Sequence, residues 1–595
     1  MNRLLKGVVA GACLGLATAG CYDLNVRTTF DDLTREAVTG DVTLIENVIA
    51  SQGVNLFAAV ANRGRPWTAL EVLGERLTTS SDLHNMWQPS REPREALENQ
   101  VGTTAINADP WALLYESNSS VTEMQRVIRD KGLRIIDPLT QNDNTARALA
   151  WAKFVQGVSH GYLAILFDKA AIVNIDVDLS VVPNLPLVEY TEVRDSALKW
   201  LNEAAVLAET NTFTYPNTNA HWMWNIGVTN NAFAEIVHTF IARIMVYSAR
   251  TPEERAAVDW DEVLVHLGRG VKTDFGLGGD GNRPSNLLNY EYKAVVFNPV
   301  ATGTGRQLTN ATRVDLRLLG PADTLRIDTD GDLVPDKTQY QAWLEAVATP
   351  DGREVTSGFI IQTPDRRIQA STAPPGNDAT RPIFFRYTDL PANGTLPGAG
   401  TPIQPPERGL YYRDSWYYSS SMLDNPGETN GGRNTTGELA DIREIILRVA
   451  EVDFLKAEAL IRLNRAAEAL PIINQRRETN GGLPPVTIDG PPQTTAEEIA
   501  SCVPKRYDGS CGDLWDAFMY EKRIETFGLH GVIPWADGRG WGCLLAGTLT
   551  ELPIPARQLD LLELPNYSFG GSPGQRGSAP VPDDCPLMFA PTAGS

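Results

Sequence analysis

Four aspartates stand at positions one, three, five and nine of Asp328-Thr-Asp330-Gly-Asp332-Leu-Val-Pro-Asp336, around a glycine that permits a tight turn. Calcium wants several hard oxygen ligands, and such a turn lets alternate carboxylates and a carbonyl converge on one ion. Asp328, Asp330, Asp332 and Asp336 are therefore a candidate calcium loop with a structural role; the alternative is a solvated acidic turn. A second chemistry is stacking, because flat aromatic rings beside polar groups suit the C–H faces and hydroxyls of sugars. His221-Trp-Met-Trp-Asn225 and Tyr411-Tyr-Arg-Asp-Ser-Trp-Tyr-Tyr418 have that composition, and Trp87 lies between Met86 and Gln88 in a polar stretch. The candidate ligand-binding residues are Trp87, Trp222, Trp224, Tyr412, Trp416 and Tyr418. For each, the alternative is a ring buried for stability. Alternation in the second cluster would put Tyr412, Asp414, Trp416 and Tyr418 on one face of a strand.

No catalytic residue is assigned. The six histidines show no HExxH spacing, no GxSxG elbow occurs, and Gly276-Leu-Gly278-Gly-Asp-Gly281 lacks the preceding strand and following helix of a dinucleotide fingerprint. Glu451 and Glu458 lie seven apart and Glu521 and Glu525 four apart, so each pair shares a helix face near Arg448 or Arg523. Such pairs suit ion pairs between scaffold helices better than the acid and base of a glycosidase. An exported glycoside hydrolase remains the rival reading, and a calcium-stabilised structural lipoprotein a third.

Arg3 and Lys6 precede an apolar run from Gly7 to Gly20, too short to span a bilayer and typical of a secretory signal. Leu16-Ala-Thr-Ala-Gly20-Cys21 resembles a bacterial lipobox, with Thr18 departing from the usual leucine, so residues 1–20 are expected to be cleaved and Cys21 lipidated. Acyl chains contribute about 0.8 kcal/mol per buried methylene, enough together to hold a soluble domain at a membrane. Past the signal and anchor, Cys502, Cys511, Cys543 and Cys585 remain, an even count suited to disulfides in an exported protein. Of three pairings, Cys502 with Cys511 and Cys543 with Cys585 are favoured, the first closing a short polar loop and the second tying down the tail. The absence of CxxC gives zinc or redox chemistry little support.

The elements that must position these groups are mainly helical. Ala148, Trp151, Ala152, Val155, Val158, Tyr162, Ile165 and Leu166 form one apolar stripe, and Ile236, Phe240, Ile244 and Tyr247 lie on or near another. Residues 21–250 thus read as an N-terminal helical scaffold. Residues 251–440 become rich in Gly, Pro, Asn, Asp and Thr, with helical periodicity only near Tyr340 to Val347, and read as a loop-rich insert with short strands that could bind ligand. Residues 441–595 return to helix as a hairpin, broken at Asn464 and ended at Gly481-Gly482, before the disulfide-tied tail. The chain of 595 residues carries a net charge of −21, which becomes −23 without Arg3 and Lys6. An acidic surface of this kind repels phosphate backbones, so no nucleic-acid partner is expected.

Several motifs in order resemble the SusD/RagB family. Leu447-Arg-Val-Ala-Glu-Val-Asp-Phe-Leu-Lys-Ala-Glu-Ala459 is similar to its "RYAEvlLmyAEAl" helix, and Asn474, Arg477 and Gly482-Leu-Pro to the "iNavRaRaGlP" continuation. Glu521-Lys-Arg523-Ile-Glu525 with Trp535, Asp537 and Arg539 resembles "ErRrElafEGhRwfDLrR", and Leu552-Pro-Ile-Pro555 the late "fPIP" turn. Trp111-Ala-Leu-Leu-Tyr115 with Asn118, and the helix around Ala150 to Phe167, resemble upstream family segments. Gly528 to Pro534 departs from the pattern. The Asp328 loop is in turn similar to the calcium loops of thrombospondin type 3 repeats, with Leu333 replacing a glycine. The SusD/RagB resemblance implies a SusD-like, mainly α fold with tetratricopeptide-like hairpins, and a lipid-anchored outer-membrane protein exposed at the cell surface. It also implies capture of an oligosaccharide or peptide for a SusC-like TonB-dependent transporter, without an obligatory cofactor.

Overall fold

Helices form wherever the sequence supplies a long apolar stripe with few interruptions. The computed structural model describes residues 39–61, 66–79, 93–99, 105–177, 185–218, 222–223, 226–277, 312–348, 359, 361–368, 385–387, 412–414, 444–527 and 532–589. In the first half run Val42–Ala61 (α1), Trp67–Leu73 (α2), Ala105–Lys131 (α3), Thr145–Leu166 (α4), Tyr190–Thr210 (α5) and Asn230–Tyr247 (α6). Consecutive helices lie side by side, α3 against α4, α4 against α5 and α5 against α6, as helical hairpins. The centre is α4, buried on nearly every face from Ala148 to Leu166. Gly157 and Gly161 make that crowding feasible. A Cβ at Gly157 would stand 2.6 Å from Leu201 of α5, and one at Gly161 would stand 2.2 Å from Ile244 of α6.

Two helices follow inside the segment expected to be free of helix before Tyr340: Pro252–Ala256 (α7) and Trp260–Arg269 (α8). The Thr251 side chain caps α7 by accepting from the Glu254 N–H, and Asp259 caps α8 by accepting from that of Glu262. Trp260, Val263, His266 and Leu267 then give α8 a short buried stripe, which packs on α6. Leu316–Leu319 (α9) and Gln339–Ala348 (α10) are also embedded in the core, so this segment contributes packing as well as loops. Val449–Arg462 (α11) and Ala466–Arg476 (α12) form the late hairpin, followed by Leu514–Glu525 (α13) and Val532–Trp541 (α14). A reciprocal capping box of Asp513 and Asp516 starts α13.

Among the described residues the strands are short and pair only in antiparallel twos. Lys169–Ala171 pairs with Leu187–Glu189, Arg326–Ile327 with Lys337–Thr338, and Phe385–Tyr387 with Tyr412–Asp414. No helix among the described residues is long and apolar enough to cross a membrane. One apolar cluster surrounds Trp151 and Phe154 and takes in Leu455, Val532 and Trp535 from the far end of the chain. A second surrounds Phe454 and Phe518 and takes in Leu316, Tyr340 and Trp343.

Between these clusters the motif glutamates are ion-paired across helices. Glu451 of α11 accepts from Arg243 of α6 at 2.8 and 2.5 Å. Glu458 accepts from Arg255 at 2.9 and 2.7 Å, from Arg462 and Trp541 at 3.1 Å each and from Lys522 at 3.3 Å. Glu521 and Glu525 share Arg367, at 2.6 and 2.8 Å, and Glu521 also accepts from Arg477 at 3.0 Å. Apart from Arg462, four residues along the same helix, the partners come from distant segments, whereas spacing alone suggested Arg448 and Arg523. Arg523 donates instead to the carbonyls of Gly74 and Glu75. Burial by itself would raise the Glu458 carboxyl, but Arg255 and Lys522 outweigh it and hold the group far below the usual carboxylate range.

Candidate functional site

Trp222 lies in the core, a correction to its reading as a stacking platform for ligand. It is 5% exposed, and its ring centroid stands 4.9 Å from that of Tyr215 and 5.8 Å from that of Trp151. The Arg147 guanidinium stands 5.4 Å from the ring, and the Trp222 N–H donates to the Ala50 carbonyl. The turn carrying it has a positive φ of 53°, which tucks the indole against α4. The backbone of Tyr412 lies in the strand opposite Tyr387. Trp87, Trp224, Trp416, Tyr418 and Cys21 lie outside the described residues.

The aspartate loop caps the ribbon made by Arg326–Ile327 and Lys337–Thr338. Carboxylate oxygens of Asp328, Asp330 and Asp332 lie within 4.8 Å of one another. Asp336 stands apart from this trio and accepts from the N–H and hydroxyl of Thr329, at 2.9 and 2.6 Å. Asp328 accepts backbone N–H bonds from Gly331 and Leu333, at 2.7 Å each, which hold its carboxyl below the ordinary range. The loop thus offers a hard, all-oxygen donor set of the kind calcium takes. Sulfur bonds join Cys502 to Cys511 and Cys543 to Cys585.

A cleft of about 970 Å³ opens between the start of α5, α7, the end of α14 and the C-terminal tail. Arg250 is one wall. Its guanidinium lies 3.5 Å over the Tyr190 ring, donates to the carbonyls of Ala164 and Phe167, and pairs with Glu551. Behind it Arg539 donates only to carbonyls, those of Thr550, Ile165 and Tyr247. Burial, and then the neighbouring Arg250 charge, push Arg539 down to about 9. Trp515 and Trp541 also line the cleft.

Across the mouth hangs Arg576, in a loop turned by Gly570, Gly571, Gly574 and Gly577, all at positive φ. A Cβ at Gly577 would stand 2.0 Å from the Phe569 ring, so the loop can lie flat on that ring only with glycine there. Arg576 is 63% exposed and approaches three carboxylates: Asp168 at 3.6 Å, Glu551 at 3.8 Å and Glu189 at 3.9 Å. All three distances exceed hydrogen-bond length. Burial raises the Asp168 carboxyl, against the opposing hydrogen bond from the Tyr567 hydroxyl at 2.8 Å, and the Glu551 charge adds to the rise.

No family model and no curated protein matches the chain. Among solved structures, a SusD homolog from Bacteroides thetaiotaomicron VPI-5482 superposes with a TM-score of 0.51 at 13% identity, over 90% of this chain and 99% of that one. The fold is SusD-like. SusD superfamily proteins from Bacteroides vulgatus ATCC 8482 (TM-score 0.49, 15% identity, 88% of this chain and 97% of that one) and Bacteroides fragilis (0.47, 15%, 89% and 100%) are further matches.

In this SusD-like fold the cleft is lined by Glu189, Arg250, Glu551 and Arg576, with Asp168 3.6 Å from Arg576. No spacing pattern signals it, because these residues come from segments separated by up to several hundred positions. The one available cue was a lone arginine in the glycine-rich run Gly570 to Ser578.

Proposed function

We propose that this chain is a binding protein without turnover that captures an oligosaccharide, with peptide the second ligand class, and hands it to a SusC-like TonB-dependent transporter. In this reading Cys21 carries the lipid anchor, and the protein sits exposed on the outer membrane. The observation that carries the proposal is the SusD-like fold, which extends over 90% of the chain. The cleft adds support, since carboxylates, guanidinium groups and indoles in one concavity suit hydroxyl-rich ligands. The motif glutamates Glu451, Glu458, Glu521 and Glu525 are held in interior ion pairs, which favours binding over hydrolysis by those groups.

Titration calorimetry of the chain from residue 22 onward against neutral oligosaccharides, with chromatography of the ligand afterwards, tests this reading. Saturable binding with ligand recovered intact is expected. Accumulation of shorter products would establish the hydrolase instead. Asp328, Asp330 and Asp332 are further proposed to hold one structural calcium ion. Calcium at a hundredfold excess over its Kd should then raise stability by about 2–3 kcal/mol relative to chelator. An unchanged melting curve, or the same rise in Asp330→Asn, would remove the ion from the account.

A further inference from the structure

Beside Arg576, which lines the cleft, stand carboxylate oxygens that find no hydrogen-bond donor among the described residues. Asp168 and Glu551 have side chains only 5% and 9% exposed. One oxygen of each is committed, Oδ1 of Asp168 to the Tyr567 hydroxyl and Oε2 of Glu551 to Arg250. Among the described residues, Oδ2 of Asp168 and Oε1 of Glu551 face Arg576, at 3.6 and 3.8 Å. Arg576 therefore supplies charge there without supplying a hydrogen bond, although charge-assisted bonds to carboxylates normally close to about 2.7–2.9 Å. Glu189 has a partner in Lys169 at 3.1 Å on Oε1, and its Oε2 faces Arg576 at 3.9 Å.

The guanidinium geometry explains the poor fit. Its donors lie in one plane, whereas the three oxygens belong to separate elements: the end of α4, the start of α5 and the segment after α14. A compact ammonium has three donors arranged tetrahedrally and can turn one toward each oxygen. A sugar hydroxyl has a single proton to donate. The lining carboxylates Glu189, Glu253, Glu254, Glu551, Asp583 and Asp584 outnumber the lining arginines, in a chain of charge −21, so the local field favours a cation.

We propose that the cleft takes a protonated amino sugar whose ammonium group displaces Arg576 and bonds Asp168, Glu189 and Glu551. The inference rests on the glycan-binding reading above and narrows its ligand to cationic oligosaccharides. Arg576 acts as an internal stand-in for the ligand's charge, released when its exposed side chain swings into solvent. Two indoles that also line the cleft, Trp515 and Trp541, offer faces for further rings of the ligand.

The test compares glucosamine hexamer with N-acetylglucosamine hexamer by calorimetry, beside a panel of neutral oligosaccharides and tetralysine, on the chain from residue 22 onward. The glucosamine hexamer should bind at least about tenfold tighter than its acetylated form, since acetylation removes the charge and two donors. Arg576→Ala should tighten that binding several-fold by removing the competitor, and Glu189→Gln should weaken it. Both sites are largely exposed, so folding is checked by an unchanged melting curve. Equal affinity for the two hexamers, or weaker binding in Arg576→Ala, overturns the inference. If neutral glycans bind in that case, the glycan reading stands without it. Binding of tetralysine alone, or of no saccharide at all, overturns both.

Discussion

Glu458 and Glu521 of the helical interior and Asp168 and Glu551 beside the cleft are all buried, yet they are partnered in opposite ways. Glu458 receives bonds from Arg255, Arg462, Lys522 and Trp541, and Glu521 from Arg367 and Arg477. Oδ2 of Asp168 and Oε1 of Glu551 instead face Arg576 at 3.6 and 3.8 Å, beyond hydrogen-bond length. Glu458 is accordingly held well below the usual range, whereas burial leaves Asp168 above it. The interior spends its cations on structure, and the cleft holds acceptors in reserve.

That contrast is most exposed to mutation at Arg255. Arg255→Ala leaves Glu458 with Arg462, Lys522 and Trp541 and makes it share Lys522 with Asp537, and should cost about 3–5 kcal/mol in urea unfolding, as expected when one partner of a buried pair is lost. A loss below about 1 kcal/mol would show that the interior network is dispensable.

The two regions should also respond to pH with opposite sign. The depressed Glu458 contributes stability that is present above its unfolded value of 4.5 and lost as pH falls toward its folded value. The raised Asp168 contributes stability that is present below its unfolded value of 3.8 and lost as pH rises through its folded value. Asp168→Asn should thus stabilise the protein at neutral pH by on the order of 1 kcal/mol, with the gain fading below that unfolded value. Thermal melts of both proteins from acid to neutral pH check this, and a gain that persists unchanged in acid would contradict it.

The smallest effect is expected at Arg576. Because its contacts are long and its side chain is exposed, Arg576→Ala should change unfolding stability by less than about 0.5 kcal/mol. A large loss would place Arg576 in the scaffold and erase the distinction between the two regions.

Much of the scaffold was legible in the sequence. The apolar stripe of Ala148 to Leu166 became the central helix, and the motif run of Val449 to Arg462 became a helix of the late hairpin. The helix Trp260–Arg269 was missed because its stripe spans little more than two turns, too few to stand out from the loops beside it. The site was far less legible. Trp222 drew notice by composition, yet one wide ring serves a core as well as a ligand, and here it fills the space beside Trp151 and Tyr215. The partners of Glu451 and Glu458 lie about two hundred residues upstream, and Asp168 meets Arg576 across four hundred, distances over which spacing carries no information.

Hydrogen exchange, read by mass spectrometry with and without a saturating oligosaccharide, shows where on the protein the ligand seats. Ligand seated in the cleft should slow exchange at residues 189–190, 250–254 and 574–578 while leaving the interior helices α11 and α13 unchanged. Protection confined to other segments, with these three unaffected, would contradict the assignment of the cleft as the binding site.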